Sequence, residues 1–150
     1  MGITQLRTLL QRHHRIAFDS SILIYQIEKN PTYFPLTDVV FAWLALPTSR
    51  AFTSTIVMTE VLVPAYRKPD QQLADNFYEI LSTFTNLEWI PVDLEIADLA
   101  ARVRAQHNLR TPDAVHAATA IRSQASVFVT NDPIFTRVPD FETLILDRFI

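Results

Sequence analysis

A single glycine, Gly2, occurs in this chain of 150 residues. Loops that cradle phosphate groups need glycine, because other residues cannot adopt the required backbone angles or allow such a close approach to the ligand. The GxSxG turn of many hydrolases depends on glycine in the same way. The sequence therefore excludes P-loop proteins, dinucleotide-binding folds and GxSxG hydrolases.

Cysteine and histidine restrict the available chemistry further. The chain has no cysteine, which excludes disulfide bonds, a thiolate nucleophile and cysteine-ligated zinc or iron–sulfur sites. Its four histidines, His13, His14, His107 and His116, do not have the HExxH spacing of zinc hydrolases. Any catalytic chemistry must therefore rest on carboxylates, hydroxyls and arginines.

Composition indicates a globular protein with a substantial core. Hydrophobic residues make up 49% of the chain and charged residues 19%, and no apolar run approaches the roughly 18 residues of a membrane span. Residues 1–15 lack the apolar stretch of a secretory signal, so we expect a cytoplasmic protein without a membrane segment. The net charge of −3 does not favour a general nucleic-acid coat protein, although local basic patches remain compatible with it.

The hydrophobic pattern alternates between strands and helices along the chain. Short, almost continuously apolar strands are predicted over 15–19, 51–54, 87–92, 127–130 and 143–146. Helices are predicted over 5–13, 20–28, 36–46, 55–64, 70–84, 94–107 and 111–120. Such strands are typical of a parallel sheet covered on both faces, so we predict an α/β fold, a three-layer sandwich with a mainly parallel five-stranded sheet.

Several local signals place the ends of these elements. Ser20 or Ser21 is expected to cap the helix after the first strand, and the hydroxyl of Thr111 to cap a later one. Pro64 is expected to kink or end its helix, because proline lacks the backbone N–H. Pro91 places the third strand at an edge of the sheet or shortens it.

Four acidic residues come from segments that a parallel sheet would bring together. Asp19 follows the first strand and Asp132 follows the strand over 127–130, while Glu60 lies about two turns into the helix after the second strand. Asp113 opens the helix that precedes the strand over 127–130. Ligands of open α/β sheets bind beyond the carboxyl ends of the strands, so we expect these acids to converge there.

Each acid also has a structural explanation. Asp19 can cap the following helix, Asp113 favours a helix N-terminus, and Asp132 forms turns before proline. Glu60 can lie on an exposed stripe of its helix. Four carboxylates held together would raise one another's pKa unless a cation joined them. Mg²⁺ or Mn²⁺ prefers oxygen ligands, and the chemistry that follows is metal-assisted hydrolysis of a phosphodiester bond.

Taken together, the motifs around these acids resemble a known family. They are Phe18-Asp19-Ser20-Ser21, Ser54 to Glu60, Thr111 to Ala120, Val129 to Phe135 and the ending Arg137 to Leu146. In order and spacing they resemble PIN-domain ribonucleases, and most of all the VapC toxins of toxin–antitoxin pairs. The resemblance covers about residues 15–147.

This resemblance implies a parallel sheet in the order 3-2-1-4-5 and a catalytic Mg²⁺ or Mn²⁺ site. The metal ligands would be Asp19, Glu60, Asp113 and Asp132. Ser20 and Asn131 match positions where the family places supporting polar groups. The implied activity is an endoribonuclease that hydrolyses single-stranded RNA and leaves 5′-phosphate ends.

The resemblance also implies a cognate antitoxin as partner. Crowded carboxylates favour an incoming cation, so an Arg or Lys of the antitoxin is expected over the acidic cleft. We expect a homodimer that forms through apolar helix faces. The segment from Val39 to Leu46 either lies at this dimer interface or is buried within the chain.

No repeat or long linker divides the chain, so we expect one PIN-like domain over residues 1–150, with residues 1–14 as an N-terminal extension. The extension is either an extra helix or an RNA-contact arm. The basic residues of such an arm would be Arg7, Arg12, His13, His14 and Arg15.

Other functions remain open at this level. A non-catalytic PIN-like module that binds RNA or regulates is the main alternative, although all four acids are present. A phosphotransfer domain with Asp19 as nucleophile would need a second acid two residues later, where Ser21 stands. His116 is expected to be a satisfied histidine of a packed helix, and Arg110 an ordinary surface charge.

Overall fold

Five parallel strands form the centre of the protein in the computed structural model, which describes residues 2–150. The strands are β1 (Arg15–Phe18), β2 (Arg50–Ser54), β3 (Leu87–Ile90), β4 (Val127–Thr130) and β5 (Glu142–Ile145). The helices are α1 (Gly2–Leu10), α2 (Ser20–Ile27), α3 (Phe34–Leu44), α4 (Ile56–Tyr66), α5 (Gln71–Ser82), α6 (Leu94–His107) and α7 (Thr111–Arg122). Two 3₁₀ helices, Pro133–Arg137 and Leu146–Phe149, flank β5.

The sheet order is β3-β2-β1-β4-β5, and every pair of neighbouring strands is parallel. The order implied by the resemblance, 3-2-1-4-5, is confirmed. β3 lies at an edge, as Pro91 predicts. β1 is central, with Ile16 opposite Ala51 of β2 and Phe18 opposite Val129 of β4.

Helices cover both faces of this sheet. Ile16 and Phe18 pack into a core shared with α1, α2 and α3, whereas Ala17 points to the opposite face. There Phe128 and the alanines of α7 form a second core together with α6. Alternate residues of one strand thus enter two cores, and the predicted three-layer α/β sandwich is confirmed.

Some element boundaries differ from the sequence-based expectations. The N-cap of α2 is Asp19, as the structural explanation of this acid predicts, and not Ser20 or Ser21. The N-cap of α7 is Arg110, whose side chain makes no capping bond. Thr111 is therefore the first helical residue and not the cap. Pro64 lies inside α4, because buried neighbours on both sides, such as Leu62 and Ala65, hold the helix against the core.

The apolar run from Val39 to Leu46 belongs largely to the interior. Val39, Val40, Trp43 and Leu44 of α3 are buried in the first core, whereas the small side chains of Ala42 and Ala45 and the side chain of Leu46 are exposed. The structure thus gives this segment the intramolecular role, while a homodimer stays a prediction. None of the helices over the described residues 2–150 is long and apolar enough to cross a membrane.

The N-terminal segment is an additional helix that packs on the core. Leu6 and Leu10 of α1 are fully buried. A side chain at Gly2 would overlap the backbone carbonyl of Phe149, so the only glycine permits a close approach between α1 and the last 3₁₀ helix.

Two basic residues of the proposed RNA-contact arm have structural partners. Arg15 donates to the carbonyl of Ser123 at 2.6 Å, and His13 lies 2.7 Å from the hydroxyl of Ser126. Arg15 begins β1 and Ser126 directly precedes β4, so these contacts lie at the amino end of the sheet. The assignment of residues 1–150 to one domain stays a prediction.

Candidate functional site

A cavity of about 420 Å³ opens at the carboxyl ends of β1 and β4. It is lined by Asp19, Ser20, Ser21, Tyr25, Glu60, Arg110, Asp113, His116, Asn131, Asp132 and Pro133. All four acids singled out in the sequence, and both supporting residues, line this one cavity. Parallel strands explain this, because their carboxyl ends meet at one edge of the sheet.

Asp19 is the most buried acid of the cavity together with Asp113, and each is 8% exposed. It follows the last residue of β1 directly and caps α2. Its Oδ1 accepts hydrogen bonds from the hydroxyl of Ser21 at 2.6 Å and from the backbone N–H of Ser21 at 3.2 Å. The structural role and the site role of Asp19 therefore coincide, since the cap fixes its carboxylate at the cavity wall.

Thr130 completes the fixation of Asp19. Its hydroxyl donates to Asp19 Oδ2 at 2.6 Å and accepts from the backbone N–H of Asp132 at 3.0 Å. Phe18 pairs with Val129 in the sheet, so Asp19 and Thr130 are the next residues of two adjacent strands. The sequence analysis did not identify Thr130 as a site residue, and its position as the last residue of a buried strand is the signal that was available.

Burial raises the pKa of Asp19 above its ordinary value of 3.8. The hydroxyls of Ser21 and Thr130 and a charge on His116 act in the opposite direction, as does the backbone N–H of Ser21. The raised pKa means that these groups compensate only part of the cost of a buried negative charge. A further cation in the cavity would therefore favour the ionised form of Asp19.

Glu60 is paired with a histidine across the cavity. His116 Nε2 lies 2.8 Å from Glu60 Oε1, and His116 is 3% exposed whereas Glu60 is 38% exposed. The buried Nδ1 of His116 has no hydrogen-bond partner among the described residues. The expectation of a packed histidine is correct, but its hydrogen bonds are only half satisfied, and it borders the site.

Asp113 is paired with an arginine. Arg110 Nε donates to Asp113 Oδ2 at 3.1 Å, with side-chain exposures of 80% for Arg110 and 12% for Asp113. Asp113 also lies in the first turn of α7, so it interacts favourably with the helix dipole. Arg110 is exposed, as expected of a surface charge, yet it also lines the cavity.

Asp132 and Asn131 organise the rim. Asp132 Oδ1 accepts from the N–H of Ile134 at 2.9 Å and caps the first 3₁₀ helix, which matches its predicted turn-forming role. Asn131 accepts from the N–H of Asp147 at 2.9 Å and donates to the hydroxyl of Tyr25 at 3.4 Å. Asn131 therefore connects the end of β4 with α2 and the C-terminal 3₁₀ helix.

The donor set fits a hard divalent cation in type, since it consists of carboxylate and hydroxyl oxygens around a buried acid. Over residues 2–150, however, no three histidine, aspartate or glutamate side chains are close enough together to hold a metal ion. The partners of Asp113 and Glu60 explain the difference. Arg110 holds the first and His116 contacts the second, so the carboxylates share a cavity without forming a common ligand shell.

Comparison with known proteins identifies the family of the chain. A family model described as PIN domain matches residues 16–140. The chain therefore belongs to the PIN domain family, as its motifs predict, and the matched region begins after α1. None of the curated protein sequences matches the chain.

Solved structures share the fold at low sequence identity. VapBC2 from Rickettsia felis, bound to a DNA fragment from the promoter, has a TM-score of 0.67 at 19% identity, covering 87% of this chain and 98% of that chain. A toxin–antitoxin complex from Klebsiella pneumoniae has a TM-score of 0.66 at 23% identity, covering 87% and 97%. VapBC-1 from nontypeable Haemophilus influenzae has a TM-score of 0.67 at 19% identity, covering 89% and 98%. These likenesses show a common fold.

The raised pKa of Asp19 predicts a pH-dependent stability. Below the unfolded-state pKa the carboxyl is protonated in both states, and the folded protein does not bear a buried charge. As the pH rises through the raised pKa, this stability is lost. In EDTA, Asp19→Asn should therefore gain melting temperature relative to wild type between about pH 4 and pH 7.

Thermal melts across this pH range provide the measurement. For a chain of this length, 1 kcal/mol corresponds to roughly 2–4 °C in Tm. Asp140→Asn, in an exposed loop, is the matched control and should follow wild type at every pH. A difference between Asp19→Asn and wild type that stays constant from pH 4 to pH 7 would contradict the prediction.

Proposed function

We propose that this protein is a metal-dependent endoribonuclease that hydrolyses single-stranded RNA. The observation that carries the proposal is the single cavity at the carboxyl ends of β1 and β4, lined by Asp19, Glu60, Asp113 and Asp132. Structural roles explain each acid separately. The parallel sheet brings their four segments to one edge, but none of these structural roles requires that four carboxylates border the same opening.

The proposed ligands of Mg²⁺ or Mn²⁺ are these four carboxylates, with Ser20 and Asn131 in support. A divalent cation bound there would supply positive charge that lowers the pKa of an attacking water and stabilises the charge developing on the phosphate. Ser21 and Thr130 hold both oxygens of Asp19 through short hydrogen bonds. They fix this carboxylate before any ligand arrives, which reduces the reorganisation needed at the reacting phosphate.

The shape and rim of the cavity support a flexible single strand as substrate. A volume of about 420 Å³ is small, so only a short part of a bound strand can enter the cavity. Tyr25 lines the opening, and its ring stacks on Tyr33 with 4.4 Å between centroids. Aromatic rings at such a rim are suited to stacking with unpaired bases.

We also propose that the chain is the toxin of a toxin–antitoxin pair. Support comes from the solved structures with the same fold, two of which are described as VapBC proteins and one as a toxin–antitoxin complex. The acidic cavity favours an antitoxin that presents an Arg or Lys to the carboxylates. A cytoplasmic location follows from this proposal.

One observation favours the alternative of a non-catalytic RNA-binding or regulatory module. Asp113 and Glu60 already have cationic or histidine partners within the chain. In a module without hydrolysis these contacts would be permanent. RNA binding without cleavage in the presence of metal would support this alternative.

Purified protein should cleave single-stranded RNA with Mg²⁺ or Mn²⁺ and lose this activity in EDTA. Asp19→Asn should lower the rate by at least roughly 100-fold, because an amide is a poorer ligand for a hard cation. Asp140→Asn should retain the wild-type rate. The products should carry 5′-phosphate and 3′-hydroxyl ends, because water is the nucleophile.

End-group analysis by mass spectrometry checks the mechanism. A 2′,3′-cyclic phosphate would exclude it, because that product arises when the ribose 2′-hydroxyl attacks. Cleavage that is insensitive to EDTA would exclude the metal dependence.

Expression in a bacterial host without an antitoxin should arrest growth, since cleavage of cellular RNA stops protein synthesis. Asp19→Asn, expressed at the same level, should allow normal growth, and Asp140→Asn should be as toxic as wild type. Colony counts and growth curves after induction provide the measurement. If the wild-type protein cleaved RNA in vitro but cells that express it grew normally, the toxin role would be refuted. The ribonuclease activity would still stand.

A further inference from the structure

Arg110 is the only lysine or arginine among the residues that line the cavity. It contacts Asp113 through one hydrogen bond from Nε, and the structure gives its guanidinium no second hydrogen bond within residues 2–150. The side chain is 80% exposed, whereas that of Asp113 is 12% exposed. The cation therefore lies on the solvent side of a largely buried acid.

The backbone that carries Arg110 is firmly held. Arg104 donates to the carbonyl of Leu109 at 3.2 Å, and Arg137 donates to the carbonyl of Asn108 at 3.1 Å. Leu109 is 2% exposed and anchors the loop in the second core. The backbone before Arg110 is thus fixed, while the long side chain of Arg110 can move away from Asp113 without disturbing the fold.

The pair between Arg110 and Asp113 is easily exchanged. Water and salt screen the exposed Arg110 guanidinium, and holding its long side chain in one position costs entropy, so the pair is weaker than a fully buried one. A divalent cation carries twice the charge and prefers carboxylate oxygen. Arg110 already contacts Asp113 Oδ2, so a metal ion that bound this carboxylate would compete with Arg110 for its negative charge.

We propose that Arg110 alternates between two anions: it neutralises Asp113 until a divalent cation binds this carboxylate, and it then binds a phosphate of the RNA. This inference rests on the proposed function and assigns Arg110 a substrate-binding role in it. The released guanidinium presents planar donors that match phosphate oxygens in pairs. It also places a positive charge at the mouth of a cavity whose acids repel RNA.

The first test is Mn²⁺ binding to the purified protein, measured by isothermal titration calorimetry without RNA. Arg110→Gln should bind Mn²⁺ roughly two- to five-fold more tightly than wild type, because a competing cation is removed. Arg110→Lys should fall nearer to wild type, because it keeps the positive charge. Melting temperatures of all variants in EDTA check that they are folded.

Arg122→Gln is the matched control. Arg122 lies at the other end of α7 and pairs with Glu95 at 3.0 Å, so its substitution also breaks an exposed ion pair. It should leave Mn²⁺ affinity unchanged. If Arg122→Gln changed the Mn²⁺ affinity as much as Arg110→Gln does, the effect would come from net charge alone. The proposed competition between Arg110 and the metal ion would then be wrong.

The second test is steady-state cleavage of single-stranded RNA at saturating Mn²⁺. Arg110→Gln should raise KM about tenfold, the range of a lost charge-assisted phosphate contact, with a smaller change in kcat. The two measurements thus move in opposite directions, with tighter metal binding and weaker substrate binding. If Arg110 had only a structural role, its substitution by Gln would weaken the binding of both Mn²⁺ and RNA, or of neither.

Separate outcomes distinguish the inference from the function on which it rests. If wild type binds no Mn²⁺ and cleaves no RNA, the proposed function fails and the inference with it. If wild type binds Mn²⁺ and cleaves RNA, but Arg110→Gln binds Mn²⁺ with equal or lower affinity, the inference is overturned and the function stands. If Arg110→Gln had the KM of wild type, the proposed contact between Arg110 and an RNA phosphate would be wrong.

Discussion

The Asp19 carboxylate joins the sheet to the site, and the remaining geometry follows from how it is held. It stands at the carboxyl end of the central strand β1, and Thr130, at the end of adjacent β4, donates to it at 2.6 Å. The same hydroxyl accepts a hydrogen bond from the backbone N–H of Asp132. Three residues at two strand ends are thereby locked together. The buried negative charge remains only partly compensated, which makes the cavity attractive to cations.

The chain supplies two cationic or neutral partners of its own for the other acids. Arg110 pairs with Asp113, and His116 contacts Glu60 from a buried position with its Nδ1 unpartnered among the described residues. The Arg110 guanidinium offsets one of the four negative charges, and the His116 ring gives Glu60 a partner, so the fold can keep four acids around one opening. These contacts also explain why the acids do not form a common ligand shell over residues 2–150.

The fold was largely accessible from the sequence, because buried parallel strands and amphipathic helices have strong local patterns. The limits of α6 and β4 match their predictions, and the four acids meet in one cavity because strand ends meet at one edge. The contacts of Thr130 with Asp19 and of His116 with Glu60 were not predicted, since they join distant segments. The pair between Arg110 and Asp113 is local, but the sequence does not distinguish this exposed arginine from other surface charges. Of the three cap candidates for α2, Asp19 is the one used: its Oδ1 accepts from the N–H of Ser21, and the hydroxyl of Ser21 donates to the same oxygen.

A divalent metal ion in the cavity bordered by Asp19 is the part of the proposed function on which the rest depends. Anomalous diffraction from crystals soaked in Mn²⁺ tests it most directly, because it locates the ion without reference to activity. We expect a peak inside the cavity, in direct contact with a carboxylate oxygen of Asp19 and with at least one of Asp113 and Asp132. Peaks confined to exposed carboxylates elsewhere, with none in the cavity, would contradict it.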